Sequence, residues 1–231
     1  PEGCAACPVR TNPQNAYRNG TMYSSYTAEQ IARTYELAAA HQVNLLGSVT
    51  WAFEFEDQPY FDGFRDLATN GIDKPVLNVF RMLGRMGGDF LRATSSGSLP
   101  LEVVRSTGVR ERPDINAIAA RRDDAVAVLV WNYHDDDLPA PPAEVELSIE
   151  GVSMRRMTVE HYRIDADHSN SYDAWKRMGS PQEPTSAQYA QLERSGLLAK
   201  VAAPEAVDVV DGRARLMCTL PRQAVSLFLL R

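Results

Sequence analysis

The sequence predicts an α/β segment, of the kind that closes a parallel α/β barrel or an open sheet, followed by a β-sandwich. Three observations predict it. Up to Gly88 the chain runs helix, buried strand, long loop, helix. After Gly88 it turns to short β-rich runs separated by turn residues. Nowhere does an apolar run approach the roughly 18 to 20 residues needed to cross a bilayer, which points to a soluble protein of the cytoplasm or periplasm.

Taken in order, residues 1–25 are rich in Pro, Asn, Gly and Tyr without periodicity and read as a long irregular loop. Thr27 and Gln30 then fit a capping box, with Ile31, Tyr35 and Ala38 at helical spacing as far as His41. The run from Leu45 to Phe53 is dense in Leu, Val, Thr, Trp and Phe, which predicts a buried strand. Turn chemistry fills residues 59–73. Pro75 opens a second helix with Val76, Val79, Phe80 and Leu83 on one face, and Gly87 and Gly88 end it.

Beyond Gly88, strands are predicted over residues 101–105, 115–120, 125–132, 144–149 and 157–164, with Asp123-Asp124 as a hairpin turn. Thr185 and Gln188 form a second capping box ahead of a helical insertion near residues 184–198. Closing strands follow over residues 207–210, 214–220 and 224–230, the first two joined by Asp211-Gly212, a strong hairpin signal. The domains expected are residues 1–88 and residues 89–231.

A length of 231 residues, 44% hydrophobic and 23% charged, is ordinary globular composition. The chain opens at Pro1 rather than Met, so it is expected to be the C-terminal part of a larger protein. A net charge of -6 with scattered Lys and Arg excludes a nucleic-acid partner, and no membrane partner is expected. Cys4 and Cys7 make a CxxC before Pro8, but neither a preceding strand nor a second ligand pair accompanies it, so the pair reads as incidental. His41, His134, His161 and His168 have no metal-ligand spacing and read as structural; no cofactor and no metal is expected.

Chemistry concentrates in Trp51 to Asp57, where an indole, two phenyl rings and three carboxylates stand at the end of the predicted strand. Strand ends of α/β folds are where ligands bind. Aromatic faces cover the C–H faces of a pyranose and carboxylates accept from its hydroxyls, so the run is a candidate sugar-binding wall. On composition alone, Trp51, Phe53 and Phe55 could equally be core residues beside a solvated acidic loop. Glu54 and Glu56 invite reading as a retaining-glycosidase pair, whose carboxyls stand about 5 to 5.5 Å apart. Neighbours on one strand cannot flank a scissile bond from opposite sides, so they are not read as catalysts.

The run Val49-Thr50-Trp51-Ala52-Phe53, then Phe55-Glu56-Asp57, Phe61-Asp62-Gly63-Phe64 and Gly71-Ile72-Asp73-Lys74-Pro75-Val76, resembles family 39 glycoside hydrolases, the β-xylosidase group related to α-L-iduronidase. Arg121-Arg122-Asp123-Asp124, Val130-Trp131-Asn132 and the stretch from Trp175 to Pro181 extend the resemblance over nearly the whole chain. It implies the closing segment of a (β/α)8 TIM barrel followed by a β-sandwich accessory domain. It further implies part of a retaining β-xylosidase in xylan degradation, releasing xylose from the non-reducing end of xylo-oligosaccharides, with the N-terminal remainder of the barrel as structural partner. The family's acid/base lies in an Asn-Glu-Pro motif and its nucleophile in a Thr-Glu motif. Neither motif occurs here, so both catalytic carboxylates are expected upstream of Pro1, Glu2 being the nearest candidate within the chain, and the isolated chain is expected to be inactive.

By the same resemblance, Trp51 forms the floor under the sugar and Glu56 accepts from its hydroxyls. Asp57 takes the place of a second family Glu, and Phe53 and Glu54 complete the wall. Asp62-Gly63 departs from the family's His-Gly-Gly. Arg65 is the nearest cation to the run, which disfavours a uronate substrate. The rival function is a noncatalytic carbohydrate-binding or interaction module carried by the sandwich.

Overall fold

A computed structural model describes residues 12–50 and 52–231. The pair Cys4 and Cys7, with Glu2, lies outside the described residues. A short 3-10 helix, Pro13–Asn19, starts on its proline, and Gly20 separates it from α1, Thr21–Ala40. The first helix therefore begins well before the expected capping box. Thr27 sits inside it, and its hydroxyl donates back to the Tyr23 carbonyl at 2.6 Å. No Gly or Pro interrupts residues 21–40, so nothing halts the helix once it has begun. Burial of Met22 and of Ser25 favours its first turns, with Ser25 Oγ donating to Gln223 Oε1 at 2.7 Å.

The strand expected from Leu45 to Phe53 is not formed over the described residues. Leu46 and Val49 are 91% and 96% exposed. A strand buried in a parallel sheet needs hydrogen-bonding neighbours on both sides, and among the described residues none pairs with this run. After it come a small hairpin, β1 (Ala68–Thr69) with β2 (Ile72–Asp73), and then α2, Pro75–Arg85. The second helix starts where expected, burying Val76 and Val79 of the expected face together with Met82, while Phe80 and Leu83 are half-buried. Gly87 and Gly88, at φ 126° and 83°, then turn the chain into the sheet.

The sheet opens with β3 (Asp89–Leu91), an edge strand without a strong signal in so short a run. Residues expected as a strand at 101–105 are instead α3, Leu101–Thr107, stopped by Gly108 at φ 75°. A five-residue apolar run cannot separate strand from helix by periodicity. Here Val103 and Val104 reach the core and Glu102 pairs with Arg105 one turn on. The remaining strands are β4 (Asp114–Arg122), β5 (Ala125–Tyr133), β6 (Ala143–Glu150) and β7 (Arg156–Ile164). After α4 (Ser171–Arg177) and α5 (Ser186–Gly196) come β8 (Ala199–Lys200), β9 (Glu205–Val210), β10 (Arg213–Leu220) and β11 (Val225–Leu230). The expected hairpins form: Arg122 pairs with Ala125 and Val210 with Arg213, with Asp123, Asp211 and Gly212 at positive φ. The second capping box also forms, Thr185 Oγ1 accepting from the Gln188 N–H.

All pairing is antiparallel, in the order β3-β4-β5-β11-β7-β9-β10-β6 with β8 on β7. The expected sandwich takes the form of one curled sheet, a half-barrel, because β9 pairs with β7 along its first residues and with β10 at its end. Inside the curl, Val128, Val130, Phe228 and Val159 pack against Leu216 and Leu220. The outer face, with Leu129, Trp131, Leu227 and Tyr162, packs on Ala28, Val79 and Met82 of α1 and α2. The described residues do not themselves make a (β/α)8 barrel.

Arg33 fastens α1 to the sheet. Its guanidinium pairs with Glu29 at 3.2 Å and Asp114 at 3.1 Å, and donates to the Leu99 carbonyl at 2.7 Å. Asp114, fully buried, also accepts from Leu99 N–H at 2.7 Å and Trp131 Nε1 at 3.1 Å.

Candidate functional site

The aromatic and acidic run leaves the unpaired segment of residues 44–50 and is received by the hairpin β1–β2. The Phe53 carbonyl accepts from the Leu67 and Ala68 N–H groups at 2.8 and 3.0 Å. Glu54 Oε1 accepts from the Gly71 N–H at 2.8 Å. The Phe55 ring packs against Phe64, centroids 5.0 Å apart. Glu56 and Asp57 are exposed, and Asp57 turns the chain at φ 54°. Trp51 lies outside the described residues.

The structure therefore brings Phe53 and Glu54 to the hairpin and sets Phe55 against Phe64, while Glu56 and Asp57 stand in a turn beyond them. Because the run is a loop, Glu54 and Glu56 do not share the face of a strand. The Glu54 carboxylate is occupied in part by a backbone N–H.

Beneath the run lies a buried polar layer that sequence reasoning missed. Asn15, Arg18 and Asn19 of the 3-10 helix are fully buried, and so nearly are Asp62, Asp66 and Lys74. Asn19 Nδ2 donates to the Phe61 carbonyl at 2.7 Å, and Arg18 Nη1 to that of Gly63 at 3.4 Å. The Lys74 ammonium pairs with Asp66 and donates to the Phe64 carbonyl at 3.4 Å. Burial pushes the Asp66 carboxyl up and the Lys74 ammonium down, and each charge opposes the shift of the other. Periodicity cannot reveal such a layer. Among these residues, two carry a sequence signal: Asp62 within the run Phe61 to Phe64, and Lys74 ahead of the proline that marks a helix start.

On the other side of the loop, α4 supplies an aromatic cluster, and the helical insertion after it supplies further contacts. Phe61 meets Tyr172 and Trp175 at 5.4 and 5.0 Å between centroids. Tyr189 Oη donates to the Asn70 carbonyl at 3.2 Å, and Gln182 exchanges hydrogen bonds with the Tyr60 backbone at 2.8 and 3.3 Å. The loop of residues 53–71 is thus clamped between the sheet's insertion and the 3-10 helix.

A groove of about 540 Å³ opens beside it, between α1, α2 and residues 45–50; Tyr23, Tyr26, Tyr35, Phe80 and Leu83 line it, with Arg65 at its edge. Of the histidines, His134 and His168 are hydrogen-bonded in turns, His161 is bonded to Ser226 within the curl, and His41 ends α1. Among the described residues no three His, Cys, Asp or Glu side chains group closely enough to hold a metal ion. No described helix is long and apolar enough to cross a membrane.

Of the described run, the Phe53 ring and the Glu56 and Asp57 carboxylates stand at the surface. The family model of the glycosyl hydrolases family 39 matches residues 7–209. The chain belongs to family 39. It is 24% identical over 143 residues to the "Beta-xylosidase" of Caldicellulosiruptor saccharolyticus, a match covering 62% of this chain and 26% of that protein. The family 39 fold is also seen in the GH39 enzyme from Xanthomonas axonopodis pv. citri, with a TM-score of 0.73 at 17% identity over 95% of this chain and 42% of that one. The monomeric β-xylosidase of Caulobacter crescentus CB15 aligns with a TM-score of 0.72 at 19% identity, over 95% of this chain and 43% of that one. The chain thus spans less than half the length of these relatives.

Proposed function

We propose that this family 39 chain is the closing part of the catalytic barrel, residues 1–88, and the accessory β-domain, residues 89–231, of a retaining β-xylosidase. It acts on xylo-oligosaccharides, releasing xylose from the non-reducing end. In this reading the catalytic carboxylate pair stands upstream, on the N-terminal remainder of the barrel. This chain contributes the wall: Trp51 and Phe53 under the sugar ring, Glu56 and Asp57 on its hydroxyls, and Glu54 both on the sugar's side and on the Gly71 N–H.

The observation that carries the reading is the apolar surface of residues 45–50 and the groove behind it, with Leu46 and Val49 more than nine-tenths exposed. A barrel strand is buried on both faces, so the remainder of a barrel supplies the cover this surface lacks. The aromatic and acidic run begins where that surface ends, at the position where a barrel strand delivers residues to its active site.

The test is hydrolysis of an aryl β-xyloside. The chain alone is expected to give no turnover, and the chain joined to the preceding half of the barrel is expected to be active. Turnover by the chain alone at the level of an ordinary glycosidase would overturn the assignment.

A further inference from the structure

The tethers of the wall converge on one buried cation. Phe53 is held by the N–H groups of Leu67 and Ala68, and Phe55 by the ring of Phe64. Lys74 is bound to the same stretch at three points. Its N–H donates to the Leu67 carbonyl at 2.9 Å, its ammonium donates to the Phe64 carbonyl at 3.4 Å, and it pairs with Asp66. The Lys74 side chain is 1% exposed and that of Asp66 4%.

Stability does not explain a lysine here, because a buried ion pair is commonly no better than well-packed apolar side chains of similar volume. An ammonium does supply several directed donors and a fixed charge at one point. We infer that Lys74 is a positioning residue: by fixing Phe64 and Asp66 through its ammonium it fixes the backbone from Phe53 to Phe55 without touching the sugar, whereas its main-chain bond to Leu67 is one that any residue there would make. The effect on sugar binding rests on the proposed function, whereas the effect on the backbone does not.

Two variants of the full-length protein separate positioning from stability. Lys74→Met leaves the Asp66 carboxylate buried and unpaired, and its Tm is expected to fall. Lys74→Met combined with Asp66→Leu removes the pair whole, and its Tm is expected to return to within a few degrees of the parent. In that double variant, amide exchange over residues 66–69 should be at least tenfold faster, while a peptide from α2 keeps its protection. On an aryl β-xyloside, KM should rise about tenfold with kcat within a factor of three, the pattern of lost binding rather than lost chemistry. Parent-like exchange at Leu67 and Ala68, or a parent-like KM in the double variant of an active enzyme, overturns the inference. Faster exchange in a protein whose parent hydrolyses no xyloside supports the positioning role and sinks the functional reading instead.

Discussion

His161 lies against the ring of Phe228, centroids 4.1 Å apart, and its Nε2 is 3.0 Å from the buried hydroxyl of Ser226. Ser226 Oγ also accepts from Arg163 Nε at 3.1 Å. Burial pushes the imidazole down to about 4; Arg163 and His168 act in the same sense and Asp165 opposes them. An unfolded histidine titrates near 6.5, so as the pH falls the unfolded chain takes up the proton first. The stability due to neutral His161 is therefore complete above about 6.5 and is lost as the pH falls toward 4. Glu29 works the other way: burial pushes its carboxyl up to about 7 against the pull of Arg33, favouring the fold at low pH and losing that contribution as the pH rises through 7. The two opposing slopes make the parent curve alone uninformative. The difference in Tm between the parent and His161→Gln isolates one of them: it should favour the parent at pH 7.5 and shrink by pH 4.5. A difference constant across that range would exclude the mechanism.

At the scale of elements, the join between α1 and the sheet depends on Asp114 at the start of β4. Its two oxygens accept three hydrogen bonds, from Arg33, Leu99 and Trp131. Asp114→Asn keeps the shape but sets an amide N–H against one of those donors and leaves Arg33 short of charge. A loss of about 3 kcal/mol is expected in urea unfolding. A loss below about 1 kcal/mol would show that the join is made by the apolar contacts of Ala28, Val79 and Met82 alone.

The same elements show what was legible beforehand. Hairpins at Asp123-Asp124 and Asp211-Gly212, the Thr185 capping box and α2 behind Pro75 were readable because the residues that fix each backbone are adjacent in sequence. The onset of α1 was not, because its first turns are held by tertiary contacts such as that of Ser25 with Gln223. Of the site, the aromatic and acidic run was visible as composition. Its backing was not: Arg18 and Asn19 reach it from more than 40 residues away, and the Lys74–Asp66 pair, though only 8 residues apart, depends on how the intervening loop folds.

For the whole molecule, the decisive surface is the one that stays uncovered. Leu46 and Val49 stand almost wholly in solvent beside a groove walled by Phe80 and Leu83. Residues three apart on a strand point to opposite faces, and in a barrel wall both faces are buried, one against the inner layers and one against the helices. In the chain alone these positions are an adhesive patch. Leu46→Lys with Val49→Lys is therefore expected to reduce self-association and binding of a hydrophobic dye by the chain alone. If residues 45–50 join a barrel wall as proposed, the same pair in the complete enzyme puts two charges there with no partner for either, and its Tm should fall by well over 5 °C. The sign of the substitution thus depends on whether the preceding half of the barrel is present. If the complete enzyme tolerates both lysines with its Tm unchanged, residues 45–50 face solvent there too, and the assignment of this segment to the barrel is wrong.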